Sequence, residues 1–278
     1  MFKRDISLEV IKKQYSDEFS KFITIDDFEV HYKDEGEGMP LVLLHSMNTS
    51  LHDWEEWTNS LKGNHRIIRL DLPGFGLSGF DQYFDFRLDT YIYFIKKFTT
   101  KIGLQNFNFG GVGWGADIAW HYTTLHPYLV DQLILVNPVD YSEYKLPFYQ
   151  RMSQHWFGKS FFRWFGSKKI VEKRIDKWFS DAKSLSEQQI NRYQNLLLKE
   201  GNRKAYIAVN NAFHRNRYNR LINIKTPTLL LCSTALGKSP FEKELPNVTT
   251  IYYKETKNYP MIELPAKTAK DVNDFLNR

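Results

Sequence analysis

A chain of 278 residues with 42% hydrophobic and 25% charged residues is long enough for one large domain and too apolar to stay disordered. Its net charge of +6 comes from basic residues dispersed among Asp and Glu, with no helix-turn-helix, zinc-ligand spacing or RNA-binding signature, so nucleic acid is not read as a partner. One cysteine, Cys232, excludes an internal disulfide, and the charged amino-terminal stretch has neither a signal-peptide core nor a bilayer-spanning run, so a cytoplasmic protein is expected.

Residues 1–20 read as an amphipathic lead-in helix. Two short alternating runs follow, Phe22 to Ile25 and Phe28 to Tyr32, parted by Asp26 and Asp27 in a hairpin pattern. "PLVLLHS" is then a continuous apolar run, as expected of a strand buried on both faces. Leu51, Trp54, Trp57 and Leu61 fall at helical spacing in "LHDWEEWTNSLKG", which Gly63 closes. "HRIIRLDLP" is the next strand, and "DTYIYFIKKFTTKIG", "FNFGGVG", "WGADIAWHYTTLHP" and "QLILVNP" alternate helix, strand, helix and strand. Such alternation predicts an α/β fold with a mostly parallel central sheet flanked by helices, after an antiparallel start.

From Val139 to about Asn223 no buried strand is read, only helical segments such as "SEQQINRYQNLLLKEG" and "NRKAYIAVNNAFHR". Strand and helix resume with "TPTLLLCS", "SPFEKEL", "NVTTIYYKE" and a last helix near "AKTAKDVNDFLN". The expected organisation is a core of residues 21–141 and 224–278, with an all-helical lid over 142–223. Within that lid Trp156, Phe157, Phe161, Phe162, Trp164 and Phe165 are interleaved with Lys159, Arg163, Lys168 and Lys169. Aromatics beside cations suit a membrane-surface helix. Gly158 and Gly166 break the stretch into short pieces, however, so it reads better as a lid whose aromatics cover a pocket and whose charges face water. The aromatic share of 16% fits either a core rich in Phe and Tyr or an apolar pocket.

"FGGVGWGADIAW", Phe109 to Trp120, reads as a sharp turn between a buried strand and a helix, of the kind that holds a nucleophile in α/β enzymes, with Gly113 at its apex. Together with "RLDLPGFGLSG", "DEGEGMPLVLLHSMNTSLHDW" and the element order, this turn resembles the α/β-hydrolase superfamily over nearly the whole chain. "RLDLPGFGLSG" closely matches the family's Asp-x-Pro-Gly-x-Gly-x-Ser segment and is similar to serine-dependent branches. "WGADIAW" resembles the epoxide hydrolase and haloalkane dehalogenase branch, where an Asp precedes the Trp. The resemblance implies a nucleophile at the centre of Gly111, Val112, Gly113, Trp114 and Gly115, a carboxylate after the strand that follows the lid, and a histidine after the last strand. Here those places hold Gly113, the run Thr234, Ala235 and Leu236, and Asn258. Glycine has no side chain to attack with, and Asn cannot accept and return a proton near neutral pH.

Displaced chemistry has three candidates, each with a plainer reading. Asp140 lies just past "QLILVNP" but suits a helix cap or solvated loop; Cys232 has no activating neighbour in sequence; Ser46, with Thr49 and Ser50, suits polar lining. His45 takes the place of the family's structural histidine, and Asp117, one turn into the helix, faces away from the mouth. No metal-ligand grouping or cofactor motif is read; His121 and His126 are five apart where a zinc pair on one helix face wants four. By the resemblance, the backbone N–H groups of Met47 and Trp114 correspond to the oxyanion hole. Loss of a side chain at Gly113 is expected to enlarge the cavity. The sequence reading is a degenerate hydrolase that binds a small apolar or carbonyl-bearing ligand, or a partner. The alternatives are an active hydrolase of small ester or epoxide-like substrates and a membrane-surface or protein-interaction scaffold.

Overall fold

Eight strands form one sheet in the order β1-β2-β4-β3-β5-β6-β7-β8. In the computed structural model, which describes residues 4–139, 167–212 and 224–278, they are β1 (Ser20–Ile25), β2 (Phe28–Glu35), β3 (Pro40–Leu44), β4 (Arg66–Leu70), β5 (Phe107–Val112), β6 (Val130–Val136), β7 (Thr228–Ser233) and β8 (Val248–Tyr253). β1 pairs antiparallel with β2, and β2 with β4; every later pairing is parallel. The hairpin and the parallel sheet read from the sequence are therefore both present.

Period-two alternation divides the strand side chains between two cores. Val42, Leu44, Ile68 and Leu70 face one side, where they meet α3 (Leu88–Lys101) and α4 (Trp114–Leu125). Leu41, Leu43 and Ile67 face the other, with Trp54, Trp57 and Leu61 of the turn Leu51–Trp54 and α2 (Glu55–Leu61) and with Val272 and Phe275 of the C-terminal helix Pro265–Leu276. Burial on both faces is why these strands read as unbroken apolar runs.

Between β6 and β7 the described residues are helical: α5 (Lys168–Trp178), α6 (Glu187–Leu198) and α7 (Asn202–Ala212). Ser186 opens α6 with a capping box, its hydroxyl accepting from the Gln189 N–H while the Gln189 side chain accepts from the Ser186 N–H. Val171, Ile175, Phe179, Tyr193 and Leu197 bury against Trp54, Tyr259 and Met261, so this helical segment shares the second core. The aromatic stretch Trp156 to Phe165 and Asp140 lie outside the described residues.

The lead-in helix α1 (Leu8–Tyr15) is more than a leader. Ile6 forms a parallel bridge with Lys199, donating to the Leu198 carbonyl at 2.8 Å and accepting from the Glu200 N–H at 2.9 Å. Ile11, fully buried, packs on Leu196 of α6 and Leu77, and Asn195 donates to the Tyr15 hydroxyl at 2.8 Å. Asp5 pairs with Arg203 of α7. Truncating Ile11→Ala is expected to cost about 2–4 kcal/mol in chemical denaturation, the ordinary penalty of an uncollapsed core cavity.

Candidate functional site

β5 ends at Val112 and α4 begins at Trp114, leaving Gly113 alone to make the turn with φ 53° and ψ −115°. Its N–H donates to the Val136 carbonyl at 3.1 Å, and its carbonyl accepts from Asp117 N–H at 3.0 Å, so the bend is fixed from both sides. Close packing behind it depends on Gly115, where a Cβ would stand 2.3 Å from the Leu44 carbonyl oxygen and 2.6 Å from that of His45. Gly115→Ala is thus expected to force strand and helix apart at about 1–3 kcal/mol, read as a lowered denaturation midpoint.

The space at the apex is occupied. A Cβ built on Gly113 would lie 2.6 Å from Ser46 Oγ, and Trp114 N–H donates to that same oxygen at 3.4 Å. The expected enlargement of the cavity is therefore offset: the Ser46 side chain fills the room that a nucleophile would use. One of the two expected oxyanion donors is likewise turned onto Ser46. The hydroxyl of Tyr259 faces the Ser46 side chain; burial raises the Tyr259 pKa, and nearby Asp53 raises it further, so it is a hydrogen-bond donor at neutral pH.

Past β7, Thr234, Ala235 and Leu236 form a single exposed turn, with Leu236 52% exposed, and no carboxylate is presented there. Asn258 is partly buried and is used through its backbone: its N–H donates to the Trp178 carbonyl at 2.9 Å and its carbonyl accepts from Asn137 Nδ2 at 3.1 Å. Asn137, directly after β6 and at φ 42°, also donates to the Lys257 carbonyl at 2.8 Å and to Ser233 Oγ at 3.2 Å, while its Oδ1 accepts from Ser233 N–H at 2.8 Å. It ties three strand ends together beside the elbow. Its only sequence signal is an Asn-Pro at a strand end.

Four of the described histidines, His31, His45, His52 and His121, are spent on structure. His45 Nε2 accepts from the Leu72 N–H at 2.9 Å, which leaves the proton on Nδ1 to donate to the Ser46 carbonyl at 2.6 Å. Burial lowers its pKa against the opposing pull of Asp71, so both nitrogens are engaged and the ring is no general base. His52 is pushed down to about 3 by burial and by the Arg192 charge, and His121 to about 4 by burial. Asp71, in "RLDLPGFGLSG", accepts from Leu51 N–H and Leu77 N–H at 2.8 Å each, and its Oδ2 lies 2.7 Å from His31 Nδ1. Burial alone would raise its pKa, but His31 and the other histidines outweigh that and hold it well below the usual carboxylate range. This motif is a structural clasp.

Among the displaced candidates, Cys232 is buried and its thiol is pushed up to about 12 by burial, so it stays protonated at neutral pH. Asp117 accepts from Trp120 Nε1 at 2.8 Å within its own helix. Met47 lies partly exposed in the turn closed by Thr49 N–H donating to the Ser46 carbonyl at 3.4 Å. One buried acid went unread. Asp53 takes the Tyr193 hydroxyl of α6 at 2.9 Å, and burial raises its pKa to about 6 against the lowering effects of Thr49, Arg192 and Tyr193. In sequence it is one more Asp near a helix start. Among the described residues no group of three or more His, Cys, Asp or Glu is arranged to hold a metal, and no helix is long and apolar enough to cross a membrane.

An elbow glycine between β5 and α4 in a sheet of this order, with a helical segment after β6, is a family architecture. Residues 39–235 match the alpha/beta hydrolase fold family. The chain belongs to that family. Within it, the chain is 31% identical over 141 residues to epoxide hydrolase 4 of Mus musculus, a match covering 49% of this chain and 38% of that protein. A soluble epoxide hydrolase of Corynebacterium sp. (strain C12) is 26% identical over 120 residues, 41% of this chain and 40% of that one. The matched region thus spans about two fifths of these curated relatives. Cfl2 from Burkholderia cenocepacia superposes with a TM-score of 0.82 at 18% identity, over 92% of this chain and 95% of that chain, a likeness of fold. This member of the hydrolase fold keeps the elbow backbone and fills its apex from Ser46.

Proposed function

We propose that this hydrolase-fold chain has lost the family's hydrolytic chemistry and uses the former catalytic cavity to bind a small, largely apolar ligand bearing a carbonyl or carboxylate, or an apolar side chain of a partner. The observation that carries the reading is the Ser46 hydroxyl standing against Gly113 where a nucleophile's side chain would be. Ser46 Oγ accepts from the Trp114 N–H and pairs with the Tyr259 hydroxyl, so between them the two hydroxyls have one proton left to give a ligand oxygen. Tyr259 adds a second neutral hydroxyl. Phe179 stacks on Tyr259 at 5.3 Å and Trp178 meets it edge-on at 5.9 Å, so the helical segment brings apolar surface to these polar groups, as a lid would. The epoxide hydrolases among the relatives act on epoxides by their names; this chain is proposed to keep a small-molecule preference as binding.

The test pairs turnover with binding on the purified chain. p-Nitrophenyl esters and simple epoxides are expected to react no faster than in buffer, while a series of medium-chain carboxylates and esters quenches tryptophan fluorescence saturably. Ser46→Ala is expected to weaken that binding about tenfold, the worth of one hydrogen bond to a buried ligand oxygen. Turnover that vanishes in Ser46→Ala, Asp140→Asn or Cys232→Ala would overturn the proposal in favour of an active enzyme with displaced residues.

A further inference from the structure

A carboxyl group is shut into the seam where the helical segment meets the core. Asp53, in the turn Leu51–Trp54, is 4% exposed, and its Oδ1 accepts from the Tyr193 hydroxyl of α6 at 2.9 Å. Its Oδ2 is buried with no protein donor among the described residues. The Thr49 hydroxyl stands near enough to favour the charged form, but its proton goes to the Ser46 carbonyl at 3.0 Å. Arg192, beside Tyr193 on α6, acts on Asp53 through space while bonding Glu55 at 3.5 Å. A carboxylate excluded from water, with one hydroxyl and no bonded cation among the described residues, carries a desolvation cost that its neutral form escapes.

The other titratable groups that face Asp53 do not relieve that cost. Asp71, just past β4, brings a like charge, and Tyr193 and Tyr259 stay neutral because burial raises both. Arg192 opposes Asp71 from the far side of the seam. His52, on the same turn as Asp53, bonds Ser50 Oγ at 3.0 Å and the Tyr15 carbonyl at 3.3 Å rather than α6. Neutral Asp53 thus suits a closed seam, and ionised Asp53 suits one open to water.

We propose that Asp53 and Tyr193 form a proton-controlled latch: neutral Asp53 holds α6 against the turn Leu51–Trp54, and ionised Asp53 loosens it, so the helical segment lifts from the core more often as pH rises. The closed seam binds the Asp53 proton more tightly than the open one, with the carboxyl at about 6 against an ordinary 3.8, so closure is favoured below pH 6 and weakened as pH climbs through it. Between pH 5 and 7 the opening equilibrium is expected to rise about tenfold. The latch does not depend on the ligand proposed above.

Hydrogen exchange of the full chain at pH 5 and 7, expressed as protection factors so that intrinsic exchange is divided out, tests it. Amides of α6 are expected to exchange ahead of those of β5 and β6, through an opening that leaves the sheet intact. Asp53→Asn keeps an acceptor for Tyr193 and cannot ionise. The ratio of wild-type to Asp53→Asn protection in α6 is expected to fall about tenfold from pH 5 to 7, whereas a merely structural role would leave that ratio unchanged. Both proteins retain His52, so its titration cancels. A constant ratio, or α6 amides that exchange only together with β5 and β6, would overturn the proposal. If Asp53→Asn does not fold, the ¹³C carboxyl titration of Asp53 in the wild type decides: a midpoint of about 6 is expected, and one of about 4, the value of an ordinary aspartate, overturns it.

Discussion

Gly113→Asp is expected to destabilise the chain by about 3 kcal/mol and to leave it without hydrolytic turnover. Two costs add. A residue with a Cβ must adopt φ 53°, a conformation that charges non-glycine residues about 1–3 kcal/mol. Its Cβ must also displace Ser46 Oγ from 2.6 Å. Combining it with Ser46→Gly is expected to recover about 1–2 kcal/mol of the loss, a coupling that double-mutant analysis of urea unfolding reads directly. Neither variant gains a base at Asn258 or a carboxylate at Ala235, so a restored nucleophile stays unassisted. Additive costs in the double mutant would mean that Ser46 does not occupy the apex. Sustained ester or epoxide turnover by Gly113→Asp alone would mean that acid and base groups are already in place, which the proposed function does not allow.

Acidification from pH 7 to 5 is expected to remove about 2–3 kcal/mol of folding stability. His52 and His121 are buried with folded pKa values of about 3 and 4, against about 6.5 for an ordinary histidine. Below pH 6.5 the unfolded chain therefore binds protons that the folded chain refuses, and stability falls with pH, by about 2 kcal/mol for each ring at pH 5. His45, also lowered, acts in the same direction. Asp53 works against them: its folded pKa of about 6 lies above its unfolded one, so protonation in that window returns about 1 kcal/mol. Asp71, held low, adds a further loss only once the pH falls below the ordinary carboxylate range. Urea midpoints across pH 7 to 5 check the slope. Asp53→Asn is expected to steepen it, and a flat profile would mean that these histidines titrate normally in the folded chain.

The features legible in the sequence are those set by local chemistry. Alternating runs at Phe22 and Phe28 announced the hairpin, continuous apolar runs announced the buried strands, and the elbow glycines marked the turn at Gly113. The residue types at Gly113, Ala235 and Asn258 were equally local. Long-range pairing was not legible. The hydroxyl of Ser46 meets Gly113 across 66 intervening residues, and nothing in "HSMNTS" indicates which way it turns. Asp53 and Tyr193 find each other only because α6 closes over the turn at Leu51. Asn137 has the same character, since its bonds go to Ser233, Lys257 and Asn258 on other segments. The turn before α2 departs from the helix read there because Asp71 captures the Leu51 N–H, holding Leu51–Trp54 as a tighter turn.

The bridge between Ile6 and Lys199 has a consequence for how the chain assembles. Joining residues so distant in sequence carries a loop-closure cost that local contacts do not, and it is repaid only after the intervening sheet has formed. The arm of residues 5–15 is thus a closing clasp: synthesised early, it has nowhere to dock until α6 and α7 exist. Kinetic traps set by premature docking, and strain from cargo joined ahead of Asp5, would be felt at the helical segment rather than in the sheet.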